Sequence, residues 1–278
     1  MRGGWAAAAA MVLTLSGCAA DSVPGADPGR VLLPPVTGQF DYQLGGAEDD
    51  GDLAVVVRDA SAQPVPGAYN VCYVNGFQTQ PDQAATWAAD HAELLLHDGA
   101  GRLVVDPDWP DEHVLDPSSP AHREAILTLI GPTIAGCAED GFDGVEIDNL
   151  DTWTRFADPE TGMISRADAV MLARDYVDLA HRHGLAIAQK NTLELAATGP
   201  EIGFDFAVVE ECGAYDECAG FRDAYGTHVL QVEYADNLPH SFDELCRSRE
   251  RAPLTILRDR DLVPADRPGH VREQCTDE

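Results

Sequence analysis

Apolar residues occur in short runs that alternate, in the later part of the chain, with longer segments of helical periodicity. Over residues 121–139 and 167–183 apolar side chains recur every three or four positions, the spacing of one helix face. Strands alternating with helices predict parallel βα units. The runs that predict strands cover residues 40–44, 53–57, 70–74, 143–149, 185–190, 204–210, 228–234 and 253–257.

The number of runs predicts a closed barrel. Eight strands in about 240 residues favour an α/β fold of the (β/α)8 TIM-barrel type over an open doubly wound sheet. No Gly-x-Gly-x-x-Gly segment follows a predicted strand, which argues against a dinucleotide-binding fold. Two places depart from the regular pattern. Pro64, Pro66 and Gly67 interrupt the second connection, so no crossover helix fits there, and Asp98-Gly99 predicts a β-hairpin insert before the helix at 121–139.

The start of the chain has the features of an export signal. Arg2 gives a positive start, and the apolar run 5–15 is too short to span a bilayer. Residues 15–18, LSGC, match the bacterial lipobox, which predicts cleavage before Cys18 and a lipid anchor on its thiol; an ordinary secretory signal is the alternative. We therefore expect a signal over 1–18, a tether over 19–36 and one domain over 37–278, in an exported lipoprotein at the bacterial cell surface.

The charge balance restricts the possible partners. Loss of Arg2 with the signal leaves 17 basic residues against 48 acidic ones, so the net charge changes from −30 to −31. Such a balance argues against nucleic acid and against an anionic membrane surface, leaving the lipid as the only membrane attachment. It fits either salt adaptation or a cationic ligand.

The cysteines predict disulfides. With Cys18 assigned to the lipid, six remain, and an even set in an exported protein favours disulfides. Cys212 and Cys218 flank a short loop and form the first predicted pair; Cys246 and Cys275 form the second. No CxxC or HExxH pattern occurs, so neither a metal nor any other cofactor is predicted.

The run from residue 143 to 149 carries the first sign of chemistry. Side chains alternate along a strand, so Gly144, Glu146 and Asp148 share one face while Val145 and Ile147 share the other. Unpaired carboxylates on an interior face are costly. We therefore expect these carboxylates to serve a function at the carboxyl end of the barrel.

Polar residues also end the other predicted strands. In a barrel these ends open onto one face, where TIM-barrel enzymes keep their active sites. Any single one could be ordinary loop polarity, because loops begin with polar residues. The set nevertheless predicts a site, and it comprises Tyr42, Gln43, Asn75, Asp148, Asn149, Lys190, Asn191, Glu210, Glu211, Glu233, Tyr234, Arg258 and Asp259.

Lys190 stands out because it is the only lysine, against 17 arginines. A chance surface lysine is the alternative to an ammonium inside the barrel that pairs with Glu146 or Asp148 and keeps a carboxylate ionised. Asp148 and Glu210 then form the two-carboxylate arrangement that glycoside cleavage requires. Glu210 ends an apolar run beside Glu211, so we expect it to hold a proton and act as the acid.

Several of these segments resemble motifs of glycoside hydrolase family 114. The similarity covers most of residues 40–259 and runs through successive segments in order: 40–44, 115–116, 143–151, 189–191, 209–212 with 215–218, and 232–234. The resemblance implies a (β/α)8 endo-α-1,4-polygalactosaminidase that retains anomeric configuration. Its catalytic Asp and Glu then correspond to Asp148 and Glu210.

Some positions depart from the family pattern. The family usually has Trp where Tyr42 stands, Asn where Val209 stands and Asp where Thr192 stands, and the second and third strand regions match poorly. We expect Tyr42 and Trp153 to stack on sugar rings, with core packing as the alternative for Trp153. The remaining residues expected to bind an amino-sugar polysaccharide are Gln43, Glu146, Asp151, Lys190, Asn191, Glu233 and Tyr234.

The sequence is also compared with what two other functions would require. A non-catalytic carbohydrate-binding lipoprotein on the same barrel predicts that the acid pair is lost, yet both acids are present. A metal-dependent hydrolase would use one of nine histidines, but no histidine stands at a predicted strand end except His228 at a strand start.

Overall fold

The computed structural model describes Met1, residues 31–48 and residues 51–276. The predicted signal, Cys18 and most of the predicted tether therefore lie outside the described residues. A compact unit begins at Val31, six residues before the predicted domain boundary. Val31 packs against the barrel interior, and the Tyr69 hydroxyl donates to the Leu32 carbonyl at 2.7 Å. Residues 31–36 thus already belong to the domain.

The prediction of an α/β barrel is confirmed. Eight strands pair in parallel, each with its neighbours in the sequence, and each overlaps one predicted run. They are β1 (Gln39–Gln43), β2 (Leu53–Asp59), β3 (Tyr69–Asn75), β4 (Gly144–Asp148), β5 (Ala186–Lys190), β6 (Phe206–Glu210), β7 (Val229–Tyr234) and β8 (Leu254–Arg258).

A ninth strand, which the sequence did not predict, completes the sheet. β9 (Arg272–Gln274) runs antiparallel to β8, so β1 and β9 are the two edges of the nearly closed sheet. Side chains join these edges. The Gln274 side chain of β9 accepts from the Phe40 amide at 2.9 Å and donates to the Gly38 carbonyl at 2.8 Å. Next to this edge, buried Arg258 at the end of β8 donates to the Tyr42 carbonyl at 2.6 Å.

The helices surround the sheet. The two long ones begin at serine caps: Ser119 accepts from the His122 amide and Ser165 from the Asp168 amide, both at 3.1 Å. No described helix is both long and apolar enough to cross a bilayer. The helices are α1 (Ala84–Asp90), α2 (Pro120–Asp140), α3 (Thr152–Arg155), α4 (Arg166–Arg182), α5 (Leu193–Ala196), α6 (Gly199–Ile202), α7 (Cys218–Tyr225) and α8 (Phe242–Cys246), with a 3₁₀ turn at Ala92–Leu94.

Both irregular features predicted from the sequence are present. The connection between β2 and β3 contains no helix. In the insert, antiparallel bridges join His97 to Leu103 and Val105 to His113. The Asp98 amide donates to the Arg102 carbonyl at 2.9 Å and closes the turn. Three residues lie between these two, so the turn is longer than a two-residue one.

Strand alternation decides which side chains reach the barrel interior. On β6, Phe206 and Val208 lie in the interior cluster, while Ala207 and Val209 pack against the helices. Glu210 shares the inward side with Phe206 and Val208. This register brings its carboxylate to the mouth of the barrel.

Three disulfides link the described cysteines: Cys72–Cys137, Cys212–Cys218 and Cys246–Cys275. Both predicted pairings are confirmed. The first joins β3 to α2, and the third joins α8 to the segment after β9.

The disulfides should differ in their contribution to stability because their loops differ in length. Sequence separations of 65 and 6 residues predict losses of about 4 and about 2 kcal/mol when Cys72–Cys137 and Cys212–Cys218, respectively, are replaced by alanine pairs. Urea unfolding of the two double variants measures the difference. Equal losses would show that loop closure does not set their order.

Candidate active site

The carboxyl ends of the strands surround a cavity of about 730 Å³. Three basic residues line it, Arg155, Lys190 and Arg260, against a larger number of acids. The acids are Asp59, Glu112, Asp148, Asp151, Glu194, Glu210, Glu211, Glu217 and Asp261. The mouth of the barrel is therefore strongly negative.

Lys190 lies at the floor of this cavity and is 2% exposed. Its Nζ lies 2.7 Å from Glu146 Oε1, 3.2 Å from Asp148 Oδ1 and 3.1 Å from Glu210 Oε2. Burial alone would lower the pKa of Lys190, but these carboxylates raise it well above its usual value. One permanent cation thus holds three carboxylates from β4 and β6 together.

Asp148 is fixed as a carboxylate. Burial favours its neutral form, but the Lys190 ammonium, the Asn149 amide and the Tyr73 hydroxyl together hold its pKa below the usual range. The Tyr73 hydroxyl donates to Oδ2 and the Asn149 amide to Oδ1, both at 2.8 Å. An ionised, oriented Asp148 meets the first requirement of a nucleophile.

Glu210 is held by groups on both sides of its carboxylate. The Tyr234 hydroxyl donates to Oε1 at 2.5 Å, and the Asn191 side chain donates to Oε2 at 3.1 Å. Asn191 also accepts from the Glu210 amide at 2.8 Å. Glu211, the expected like-charge neighbour, binds instead to Arg260 at 2.7 and 3.0 Å.

The two candidate catalytic carboxylates are close together. Asp148 Oδ1 and Glu210 Oε2 lie 3.2 Å and 3.1 Å from the same nitrogen, so these oxygens are at most 6.3 Å apart, the sum of the two distances. About one fifth of each side chain is exposed, 21% for Asp148 and 23% for Glu210. Both acids therefore open onto the same space, which a single sugar can occupy.

Tyr42 borders the floor of the cavity and Glu146 lies beneath it, and neither side chain is exposed as the predicted direct contact with substrate requires. Both side chains are 0% exposed, and the Tyr42 hydroxyl donates to Glu146 Oε1 at 2.8 Å. A fully buried ring offers no face to a sugar, so Tyr42 is not a stacking platform. The pair instead positions Lys190, whose Nζ also donates to the Tyr42 hydroxyl at 3.0 Å.

Three other residues expected at the site lie elsewhere. Gln43 accepts from Arg58 at 2.9 Å and donates to Asp41 at 2.8 Å. Trp153 packs against the core with the Arg166 guanidinium over its ring, the packing alternative. Glu233 is fully buried and accepts from the Gly213 amide at 2.7 Å, on the helix side of β7.

Most of the other predicted residues reach the cavity, but Asn75, Arg258 and Asp259 are not among the residues that line it. Asp151, Asn191 and Tyr234 line it together with Lys190. Arg155 lies 3.1 Å from the Asp151 carboxylate. The Arg260 guanidinium lies 4.2 Å from the centroid of the Tyr234 ring. This contact helps to hold Tyr234, whose hydroxyl donates to Glu210.

Sequence reasoning missed the aromatic residues at the mouth. Trp109 and Tyr215 line the cavity and are 58% and 62% exposed. Tyr73 and Glu112 line it too. The strand and helix periodicities that guided the sequence analysis carry no information about Trp109 and Tyr215, since both lie in loops.

One cluster of side chains has the residue types that bind metals. One group in the described part of the chain, Cys212, Cys218 and Glu233, brings three potential ligand atoms within 4.8 Å of one another. Its two cysteines are bonded to each other, so they offer no thiolate. This group does not have the donors that a zinc site needs.

Replacement of Tyr73 by phenylalanine tests its support of Asp148. Loss of a hydrogen bond to a charged group predicts a fall in kcat/KM of about 10-fold. Because the hydroxyl helps to lower the pKa of Asp148, its loss raises that pKa, and the acid limb of the pH profile should move to higher pH. An unmoved acid limb would show that Tyr73 does not act through Asp148.

Comparison with known proteins agrees with this geometry. The family model of glycoside hydrolase family GH114 matches residues 21–278. The chain therefore belongs to glycoside hydrolase family 114, and it is a glycoside hydrolase. No curated protein matches its sequence.

Two solved structures share its fold. The crystal structure of Aspergillus fumigatus Ega3 in complex with galactosamine has a TM-score of 0.67 at 18% identity, covering 90% of this chain and all of the other. The glycoside hydrolase domain of PelA from Pseudomonas aeruginosa has a TM-score of 0.59 at 15% identity, covering 84% and 97%. At these identities the similarity shows the fold alone.

Proposed function

We propose that this enzyme hydrolyses α-1,4-linked galactosamine-containing polysaccharide, cutting within the chain and retaining anomeric configuration. The observation that carries the proposal is the pair Asp148 and Glu210, joined by one buried ammonium in an acidic cavity. The galactosamine in the Ega3 complex supports the choice of sugar.

The proposed mechanism uses both acids in turn. Asp148 attacks the anomeric carbon while Glu210 protonates the departing glycosidic oxygen, which gives a covalent glycosyl-enzyme and a new chain end. Glu210, now ionised, takes a proton from water as that water attacks the anomeric carbon and releases Asp148. Lys190 keeps Asp148 ionised and holds both carboxyl groups in place.

The short separation favours retention. In retaining enzymes the two carboxyl groups are about 5–5.5 Å apart, whereas inverting enzymes leave about 6.5–9.5 Å for a water molecule. Asp148 Oδ1 and Glu210 Oε2 are at most 6.3 Å apart, the sum of 3.2 and 3.1 Å, and this limit is compatible with the retaining geometry.

The exposed aromatics support action within a polymer. Trp109 lies in the segment that follows β3, next to β4 and its Asp148. Tyr215 lies in the segment that follows β6 and its Glu210. The two aromatic faces therefore flank the acid pair, where sugars on either side of the cut bond can stack. The excess of acids in the cavity suits a cationic amino sugar.

We also propose that the protein is exported and anchored through Cys18. Three disulfides support an oxidising compartment. Labelling with a palmitate analogue in the native host, for wild type and Cys18→Ala, tests the anchor, which predicts label on the wild type only.

The substrate proposal is tested by reducing-end release from two polymers that differ only at C2, α-1,4-linked polygalactosamine and α-1,4-linked galactan. We expect chain scission, with an early drop in mean length, on the amino-sugar polymer. Activity on the galactan alone, or on neither polymer, would contradict the proposal.

A further inference from the structure

The loop from Asp106 to Glu112 forms part of the cavity rim. The Glu112 amide donates to the Trp109 carbonyl at 2.9 Å, and the Asp106 amide donates to the Glu112 carbonyl at 3.0 Å. Trp109 and Glu112 both line the cavity. One tight loop therefore brings an exposed aromatic ring and a carboxylate to the same side of the site.

This loop is tied to the strand that carries Asp148. Buried Asp106 accepts from Gln78 at 2.6 Å and pairs with Arg155. Arg155 also donates to the Asn149 side chain at 2.7 Å. The loop is therefore fixed relative to the end of β4.

Glu112 is a carboxylate in surroundings that disfavour its charge. It is 9% exposed, and of the residues that the structure describes only Asn75 hydrogen-bonds to its carboxylate, through Oε2 at 2.8 Å. Burial raises the pKa of Glu112 to about 7, and the charges of Asp148 and Asp106 act in the same direction. A ligand cation next to the Glu112 carboxylate would offset both the burial of its charge and its repulsion from Asp148 and Asp106.

We propose that Trp109 and Glu112 form a subsite for one amino sugar beside the sugar that Asp148 attacks. The indole stacks on the sugar ring, and the Glu112 carboxylate binds its free ammonium group. This inference rests on the proposed function and goes beyond it, because it names the residue that selects free over N-acetylated amines. An acetamido group is neutral and gains no ion pair from a carboxylate.

The test compares wild type with Glu112→Gln on two oligosaccharides, α-1,4-linked galactosamine and its fully N-acetylated form. We expect kcat/KM on the free amine to fall about 10-fold or more, mainly through KM, because an ionic hydrogen bond is lost. On the acetylated oligosaccharide the same variant should lose little. The matched control is Glu124→Gln, which removes the same charge from an exposed position on α2.

The outcomes separate this inference from the proposed function. Equal losses on both oligosaccharides, or an unchanged preference, would overturn the role of Glu112 while leaving the enzyme a galactosaminidase. A wild type inactive on both oligosaccharides would instead overturn the proposed function. If Glu112→Gln does not fold, Glu112→Asp keeps the charge but withdraws it by one methylene, and it should lose part of the preference; an intact preference would again contradict the inference.

Discussion

Replacing Asp148 with asparagine should lower kcat by about 10⁴-fold or more while leaving the fold intact. Asparagine has nearly the same shape. Its Oδ1 can still accept from the Asn149 amide, and its NH2 group can donate to the Tyr73 hydroxyl oxygen. It has no charge with which to attack the anomeric carbon. KM should change much less than kcat, because the sugar-binding side chains remain.

The measurement is reducing-end release, with thermal unfolding as the control for folding. Because the folded state lowers the pKa of Asp148, its charge contributes to stability, so the variant should melt at a modestly lower temperature but still fold cooperatively. A variant that keeps more than about a tenth of wild-type kcat would remove Asp148 from the role of nucleophile.

Replacing Lys190 with methionine should have the largest effect on stability. Methionine fills a similar volume, but it leaves three buried or half-buried carboxylates without their cation. Removing one partner of a buried ion pair costs about 3–5 kcal/mol. Activity should also be lost, since Asp148 would no longer be held ionised.

The loss in stability should depend on pH in a definite direction. Burial already raises the pKa of Glu146 to about 7 in the wild type, and the ammonium limits that rise. Without the ammonium the pKa of Glu146 rises further, and the pKa of Asp148 rises above its unfolded value. Groups shifted upward contribute stability at low pH that disappears as pH rises through the folded pKa. The difference between wild type and Lys190→Met should therefore be larger at pH 8 than at pH 5.

Urea unfolding at the two pH values gives this comparison. Arg102→Met is the matched control, because Arg102 is 80% exposed in its pair with Asp98. We expect it to change stability little at either pH. If Lys190→Met loses the same free energy of unfolding at both pH values, lost packing rather than lost charge causes its instability.

Strand alternation explains both the success and the errors of the sequence analysis. The eight barrel strands were predictable because each is a short apolar run between turn residues, and the inward register of Glu146, Asp148 and Lys190 followed from period two. β9 was not predictable, since Arg-Glu-Gln carries no apolar signal and forms only by pairing with β8.

The same alternation corrects the candidate site. Gln43 and Glu233 each adjoin a residue that faces the interior, Tyr42 and Tyr234, so they had to point the other way. Alternation predicts which way a side chain points, but not how far below the cavity it lies. Tyr42 does point inward and borders the floor of the cavity, but its side chain is 0% exposed and donates to Glu146 beside Lys190.

The central claim is that Asp148 is the nucleophile and Glu210 the acid and base. Its most direct test is the configuration of the products formed with azide from an aryl α-galactosaminide oligosaccharide, read by NMR. Azide should replace the missing carboxylate in Asp148→Gly and give the β-azide. In Glu210→Ala it should attack the glycosyl-enzyme on Asp148 from the opposite face and give the α-azide. The reverse assignment, or the same anomer from both variants, would contradict the account.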